Sequence, residues 1–357
     1  MNLEKLLKVA VESNASDLHL VVGHNPTLRI EGELVNIDMP KLEPAQADKM
    51  VLELLNEVQL EKFNSAWELD FSYNLPGISR FRVNLYRSKG HVGAAFRVVG
   101  LRIKRPEELG LPLVINDFCR KISGLVIITG PTGVGKTTTL NSMIDLINRE
   151  YSRRIIIIED PIEYLHKHKK SIVIQREVYS DTKTFAHALK YSLRQDPNVI
   201  CVGEMRDLET IQTALTAAET GHLVLATLHT PDAIQTVDRI IDVFPAYAQQ
   251  QIRIILSSCI QGVIAQQLLP RIDGVGRVLA TEVLLATSAL RNVIREGKTE
   301  QIPTIIQTSI EVGMQLMDTS LKNLYAKGII SYEAALTRVK DIQHFKSLLE
   351  VSGKNIF

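Results

Sequence analysis

The spacing of apolar positions along this chain changes character partway through. Leu3, Leu6, Leu7 and Ala10 recur at helical intervals with charges between them, which predicts a helix over residues 1–11. Residues 18–22 read as a short strand, and 28–30 and 34–37 flank Glu31-Gly32-Glu33 as a hairpin. Pro44 opens a run rich in Ala, Leu and Glu that predicts one helix out to about Phe63, with the proline in its first turn. Over 79–87, Phe81, Val83 and Leu85 alternate with Arg80, Arg82 and Asn84. Period two therefore sends the apolar set to one face of a strand and Arg80 and Arg82 to the other. A further strand pattern covers 93–99 and contains Arg97.

From Ser123 the texture is different. Residues 125–128, 154–158, 198–202 and Leu223–Thr227 are continuous apolar runs separated by helical patterns, one of them from Lys136 to about Asn148. Such runs imply a parallel sheet buried on both faces, an α/β fold. Between the two textures, 101–112 carries Pro106, Gly110 and Pro112 with mixed charge and reads as a linker. The expected organisation is an α+β domain at 1–100, the linker at 101–112, an α/β core at 113–272 and a mostly helical region at 273–357. No signal-peptide pattern is present, and every apolar run falls far short of the roughly 18–20 residues that span a bilayer. A soluble, cytosolic protein is expected.

Composition narrows the function classes. The 357 residues include 41 Lys+Arg and 40 Asp+Glu, so the formal charge is only +1. A general nucleic-acid binder would show a basic excess, and none is expected as a partner. The three cysteines are far apart with no CxxC, which argues against a zinc site or a disulfide framework.

Four segments carry chemistry. Gly130-Pro131-Thr132-Gly133-Val134-Gly135-Lys136-Thr137 fits G-x-x-x-x-G-K-[ST], with a strand before it and a helix after it. Such a loop wraps backbone N–H groups around phosphates, which requires glycine where a side chain would block approach. The helix start adds partial positive charge. Lys136 supplies a cation for the β- and γ-phosphates, the Thr137 hydroxyl can ligate Mg²⁺, and Thr138 extends the pair. The run 198–202 ends in Gly203-Glu204, and Glu204 is a candidate for holding Mg²⁺ or orienting water. Another strand end carries Glu159, Asp160 and Glu163. Glu163 is a candidate general base, while Glu159 and Asp160 are candidates for the Mg²⁺ shell. His222 precedes the fourth apolar run and His229 follows it, so His229 is the candidate γ-phosphate sensor; the strand between them keeps the two from sharing a metal.

The order and spacing of these segments resemble the secretion and type IV pilus motor ATPases, a hexameric family with an additional-strand RecA-like core. The segment 159–163 resembles the family's Asp box, Gly203-Glu204-Met205-Arg206-Asp207 its Walker B, and 220–230 its His box. Ala15-Ser16-Asp17-Leu18-His19 resembles the start of its PAS-like domain. Ala289-Leu290-Arg291-Asn292-Val293-Ile294-Arg295-Glu296 resembles the AIRNLIRE segment of the retraction branch, with Leu290 and Val293 as apolar departures. There Leu290, Val293 and Ile294 form one stripe, and Arg291, Arg295 and Glu296 a charged side.

The resemblance implies a RecA-like P-loop NTPase core with a small PAS-like N-terminal domain and a helical C-terminal region. It implies Mg²⁺-dependent hydrolysis of ATP by a homohexamer driving pilus retraction. The ring would sit in the cytoplasm at the inner-membrane base of the pilus machine, docked on a platform protein and touching the membrane only through partners. It also implies that the N-terminal domain closes over the nucleotide with Arg82 and Arg97 in catalytic roles. Arg206, Arg239 and Arg271 are weaker candidates for contact across a subunit boundary. The alternatives are an accessory retraction ATPase or a secretion ATPase of the same family. From other classes, a nucleic-acid translocase is opposed by the neutral charge, and a non-hydrolysing scaffold by the filled motif positions.

Overall fold

The computed structural model describes residues 2–30, 32–99 and 102–350. Glu31 of the expected hairpin turn and Leu101 of the expected linker lie outside the described residues. The chain forms two compact units: Met1–Arg102 with Pro161–Leu165, and Ile103–Asp160 with His166–Phe357.

In the first unit, helix α1 (Leu3–Glu12) starts where the Asn2 side chain accepts from the Glu4 N–H at 2.8 Å. Its stripe of Leu3, Leu6, Leu7 and Ala10 is buried, as the spacing predicts. Six strands follow among the described residues, β1 (Asp17–Leu20), β2 (Thr27–Ile30), β3 (Glu33–Asn36), β4 (Glu68–Leu75), β5 (Ser79–Ser88) and β6 (His91–Val98). They pair antiparallel in the order β3-β2-β1-β6-β5-β4. Phe81, Val83 and Leu85 of β5 are fully buried with Leu18, Phe96 and the helices, while Arg82 and Arg97 are exposed.

The single helix expected from Pro44 to Phe63 is two, α2 (Pro44–Leu52) and α3 (Glu57–Ala66). Asn56 explains the break. Its side chain accepts from the Gln59 N–H and its own N–H donates to the Gln59 side chain, a reciprocal cap that starts a new helix.

The second unit opens with α4 (Val114–Arg120) and the alternating elements β7 (Gly124–Thr129), α5 (Lys136–Glu150), β8 (Arg154–Glu159) and β9 (Ile172–Glu177). Next come α6 (Phe185–Ser192), β10 (Val199–Val202), α7 (Leu208–Glu219), β11 (Leu223–Thr227), α8 (Ala233–Asp242) and α9 (Ala246–Cys259). The strands β12 (Ile260–Pro270) and β13 (Arg277–Leu285) and helix α10 (Ser288–Glu296) follow, and four further α-helices end at Glu350. The seven strands of this unit's sheet run in the order β13-β12-β7-β11-β10-β8-β9. All neighbours are parallel except β12 and β13. Ile127, Ile157, Cys201 and Leu225 have no exposed surface, the expected consequence of helices on both faces. β11 lies between the glycine-loop strand β7 and the Glu204 strand β10, the additional-strand arrangement that the resemblance implies.

The stretch from 273, read as mostly helical, begins with β13. Val278, Thr281 and Val283 give it strand character, and it pairs antiparallel with β12 across residues 271–276. The stretch expected as a linker belongs to the second unit from Ile103 on, with Leu111 buried and the Lys104 carbonyl accepting from Ser142 Oγ at 2.8 Å.

In α10 the predicted stripe of Leu290, Val293 and Ile294 is buried. Arg291 is a departure from the expected free charged side. Its Nη1 donates to the carbonyls of Ser257 and Ser258, both at 2.6 Å, and so caps the last turn of α9. We expect Arg291→Ala to lower unfolding stability by about 1–2 kcal/mol, read as an earlier urea midpoint with an unchanged m-value. An unchanged midpoint would show the cap to be dispensable.

Candidate active site

The loop between β7 and α5 bends through three glycines at positive φ: Gly130 at 138°, Gly133 at 83° and Gly135 at 87°. At Gly130 a Cβ would also lie 2.5 Å from the Gln266 carbonyl oxygen of β12, so both backbone shape and space require glycine there. The bend leaves the N–H groups of the first turn of α5 pointing at the loop, the arrangement that receives phosphate.

Lys136, the first residue of α5, is only 7% exposed. Its Nζ donates to the carbonyls of Gly130 at 2.7 Å and Pro131 at 3.0 Å. Burial lowers its pKa, and the Glu204 carboxylate works in the opposite direction. His229 stands between these two charges: its Nδ1 is 3.4 Å from Lys136 Nζ and 3.5 Å from Thr132 Oγ1, and its Nε2 is 2.9 Å from Glu204 Oε1. The network assigns the ring proton to Nε2, which donates to the carboxylate, leaving Nδ1 to accept from the ammonium.

Glu204 follows the end of β10 on a backbone fixed from both sides. The Gly203 N–H donates to the Ile158 carbonyl at 2.8 Å, and the Met205 N–H to the Thr227 carbonyl at 3.1 Å. Burial alone would raise the Glu204 pKa. Hydrogen bonds from Arg206 and His229, together with the charge of Arg206, outweigh it and hold the carboxyl below its usual range, hence ionised. Within the chain, Arg206 is bonded to Glu204. Arg271 pairs with Asp273, two residues on.

His222 lies at the other end of β11, where its Nδ1 is 3.0 Å from the Ala217 carbonyl at the end of α7, a structural contact. Thr137 and Thr138 are partly exposed on the first turn of α5. Glu159 ends β8 and is 3% exposed, accepting from Gln175 Nε2 at 3.1 Å and Asn141 Nδ2 at 3.4 Å. Asp160 is exposed beside it. Glu163 is exposed and belongs, with Pro161–Leu165, to the first unit, as do Arg82 and Arg97. In that unit Arg82 lies directly opposite Arg97 across β5 and β6, and Arg97 Nε bonds Asp17 Oδ1 at 2.9 Å.

The structure therefore brings together Thr132, Lys136, Glu204 and His229 at the carboxyl end of the sheet. Asn141 and Gln175, which sequence reasoning passed over, bond Glu159, and His166, also passed over, bonds both amides. Asn141 was detectable in principle, since it lies one helical turn after Thr137 and donates to that residue's carbonyl at 3.0 Å.

A family model described as type II/IV secretion system protein matches residues 112–337, more than half of the chain. The type IV pilus retraction ATPase PilT of Pseudomonas aeruginosa is 46% identical over 345 residues, 97% of this chain and 100% of that protein. The type IV pilus ATPase PilU of the same organism is 40% identical over 99% of this chain and 93% of its own length. A crystal structure of the pilus retraction motor PilT with bound ADP superposes with a TM-score of 0.92 at 47% identity, covering 97% of this chain and 99% of that one.

The half-buried ring of His166 places Nε2 2.7 Å from Asn141 Oδ1 and shuts Nδ1 off from water. Burial is the main cause that lowers its pKa from 6.5 to about 4; Asp145 opposes it and Lys169 adds to it. The unfolded chain takes up this proton as pH falls through 6.5, and the folded chain only near 4. The associated stability is complete above the upper value and is lost as pH falls toward the lower one, a change of about 3 kcal/mol. His166→Gln should therefore flatten the decline of unfolding free energy between these two pH values. Parallel pH profiles for the two proteins would contradict this.

Proposed function

The chain belongs to the type II/IV secretion system protein family, and from that premise we propose that it is a motor ATPase coupling ATP hydrolysis to retraction of type IV pili. The observation that carries this reading is the convergence of Lys136, His229 and Glu204 beside the glycine loop, in a chain similar over nearly its whole length to a pilus retraction ATPase. The bound ADP of the related crystal structure supports a nucleotide ligand.

The loop N–H groups and Lys136 bind and neutralise the β- and γ-phosphates. The Thr137 hydroxyl and the ionised Glu204 are oxygen donors of the kind that suit Mg²⁺, which takes few protein ligands and fills its shell with phosphate and water. When bound, the ion neutralises charge developing on the phosphate oxygens. Glu159 ends β8, the strand beside the Glu204 strand β10, Asp160 follows it, and the two tune that shell from there. His229 touches both Lys136 and Glu204, so it is placed to register the γ-phosphate, and Glu163 takes the proton of the attacking water. Arg82 and Arg97 stabilise the spread charge of the loose transition state. The protein works as a homohexameric ring in the cytoplasm, docked on a platform protein of the inner membrane. Among the described residues no helix is long and apolar enough to cross a membrane; the proposed membrane contact is through partners.

A second reading, an accessory retraction ATPase, is favoured by the 40% identity to PilU. Complementation separates the two. A strain lacking its main retraction ATPase should regain pilus retraction with this chain alone, whereas an accessory protein would need the main motor present. At the site, Lys136→Ala should abolish turnover in a folded protein. Glu204→Ala should keep nucleotide binding while hydrolysis falls by about 10²-fold or more. Glu204→Ala hydrolysing at more than half the normal rate would remove that residue from the mechanism.

A further inference from the structure

The loop 160–165, which carries Glu163, follows Glu159 at the end of β8; Pro161–Leu165 belong to the first unit, and the chain returns to the second at His166. Two side-chain amides meet at its base. Asn141 of α5 donates from Nδ2 to Glu159 Oε1 at 3.4 Å and accepts at Oδ1 from His166 Nε2 at 2.7 Å. Gln175 of β9 donates from Nε2 to Glu159 Oε2 at 3.1 Å and accepts at Oε1 from the His166 N–H at 2.9 Å. Each amide thus holds the residue before the loop and the residue after it. An amide suits this double task, because it presents a donor and an acceptor on one rigid plane, one for a carboxylate and one for an N–H.

The returning chain is fastened further along the same helix. Asp145 receives a salt bridge from Lys169, and Asn148 donates to the Lys167 carbonyl at 2.7 Å and accepts from the Lys169 N–H at 3.1 Å. Asn141, Asp145 and Asn148 fall at i, i+4 and i+7 and are buried, so α5 carries a polar stripe into the interior. Buried polar groups are tolerated where they are hydrogen-bonded, and this stripe spends its bonds on the segment that follows the loop. Asn141 also donates to the Thr137 carbonyl, in the first turn after the phosphate loop.

We propose that Asn141 and Gln175 are positioning residues: a pair of amide clamps that set the Glu163 loop in register with the phosphate-binding helix. This rests on the reading of Glu163 as the base. The low pKa of His166 agrees with it, since a neutral ring keeps one proton, on Nε2, facing Asn141. Because the clamps act through the loop, their loss should lower kcat and spare nucleotide affinity.

The test uses the full chain with ATP and Mg²⁺, in two variants of differing risk to the fold: Asn141→Ala, on a buried helix face, and Gln175→Met, which keeps volume without donor or acceptor. Each should lose about 10–100-fold in kcat while KM and ADP affinity stay within about threefold. In a Glu163→Gln background either change should cost less than about twofold more, because coupled residues do not add. Hydrogen exchange of the backbone amides over 160–166 should rise in both variants. Unchanged exchange, or a full additive loss of kcat in the Glu163→Gln background, overturns the clamp. Raised exchange together with normal turnover in Glu163→Gln leaves the clamp standing as a loop anchor and removes Glu163 as the base.

Discussion

A buried ammonium is the constraint around which the second unit is arranged. Left unpaired in the interior, a charge like that of Lys136 costs several kcal/mol. Two backbone carbonyls offset part of this, those of Gly130 and Pro131, and they reach Nζ only because the loop bends through glycines at positive φ. Glu204 offsets a further part without cancelling the effect of burial, and for this it must end its strand at a matching level. The sheet ensures this by register: Val202 of β10 pairs with Ala226 of β11, and Ala226 pairs with Ile127 of β7. Three strands thus reach one level, with the glycine loop after the first and Glu204 after the last.

The gap that β11 opens between those strands is filled by His229. An imidazole carries a donor and an acceptor on opposite sides of its ring, so one residue can serve a carboxylate and an ammonium together. Arg206 approaches the same Glu204 oxygen from elsewhere, so Glu204 stays ionised although partly buried. A cation, an imidazole, a carboxylate and a second cation form a row in which any change at one end is felt at the other. A phosphate arriving on the loop competes for Lys136, and through His229 alters the surroundings of Glu204. That is a physical route by which a site senses what it holds, and it uses contacts already made.

Much of this was legible in the sequence, for a specific reason. Strands buried on both faces read as unbroken apolar runs, so the residues that end them stand out, and Glu159, Glu204 and His229 were each found at such an end. The glycine loop announces itself because its backbone excludes side chains. What stayed hidden depends on partners distant in the chain. Arg291 looks like a surface charge until the end of α9 is placed beneath it, 33 and 34 residues earlier in the sequence. The amides of Asn141 and Gln175 each look like an ordinary polar residue, and their meaning lies in the two ends of a loop brought to one point. The break between α2 and α3 was visible in principle, since Asn56 and Gln59 have cap spacing, but the continuous helical composition masked it.

The sheet of the first unit raises the same question of unbalanced charge in another form. Arg82 and Arg97 face each other across neighbouring strands, an arrangement that destabilises a sheet. Continuing across β1 and β2, the row reads Asp17 and then Arg29, so three guanidinium-bearing positions share a face with one carboxylate at register. Asp17 bonds Arg97, and Arg29 Nη1 turns to the Gly32 carbonyl at 2.7 Å. Alternation alone required only that these positions be polar, because the other face is the core; Thr or Gln would have served. A fold that keeps two arginines opposed, at a cost in its own stability, is better explained by a task than by packing. Dispersed negative charge on transferring phosphate is what a pair of guanidinium groups stabilises best. The sheet's own energetics thus supply an argument for the proposed role of Arg82 and Arg97, independent of any sequence motif.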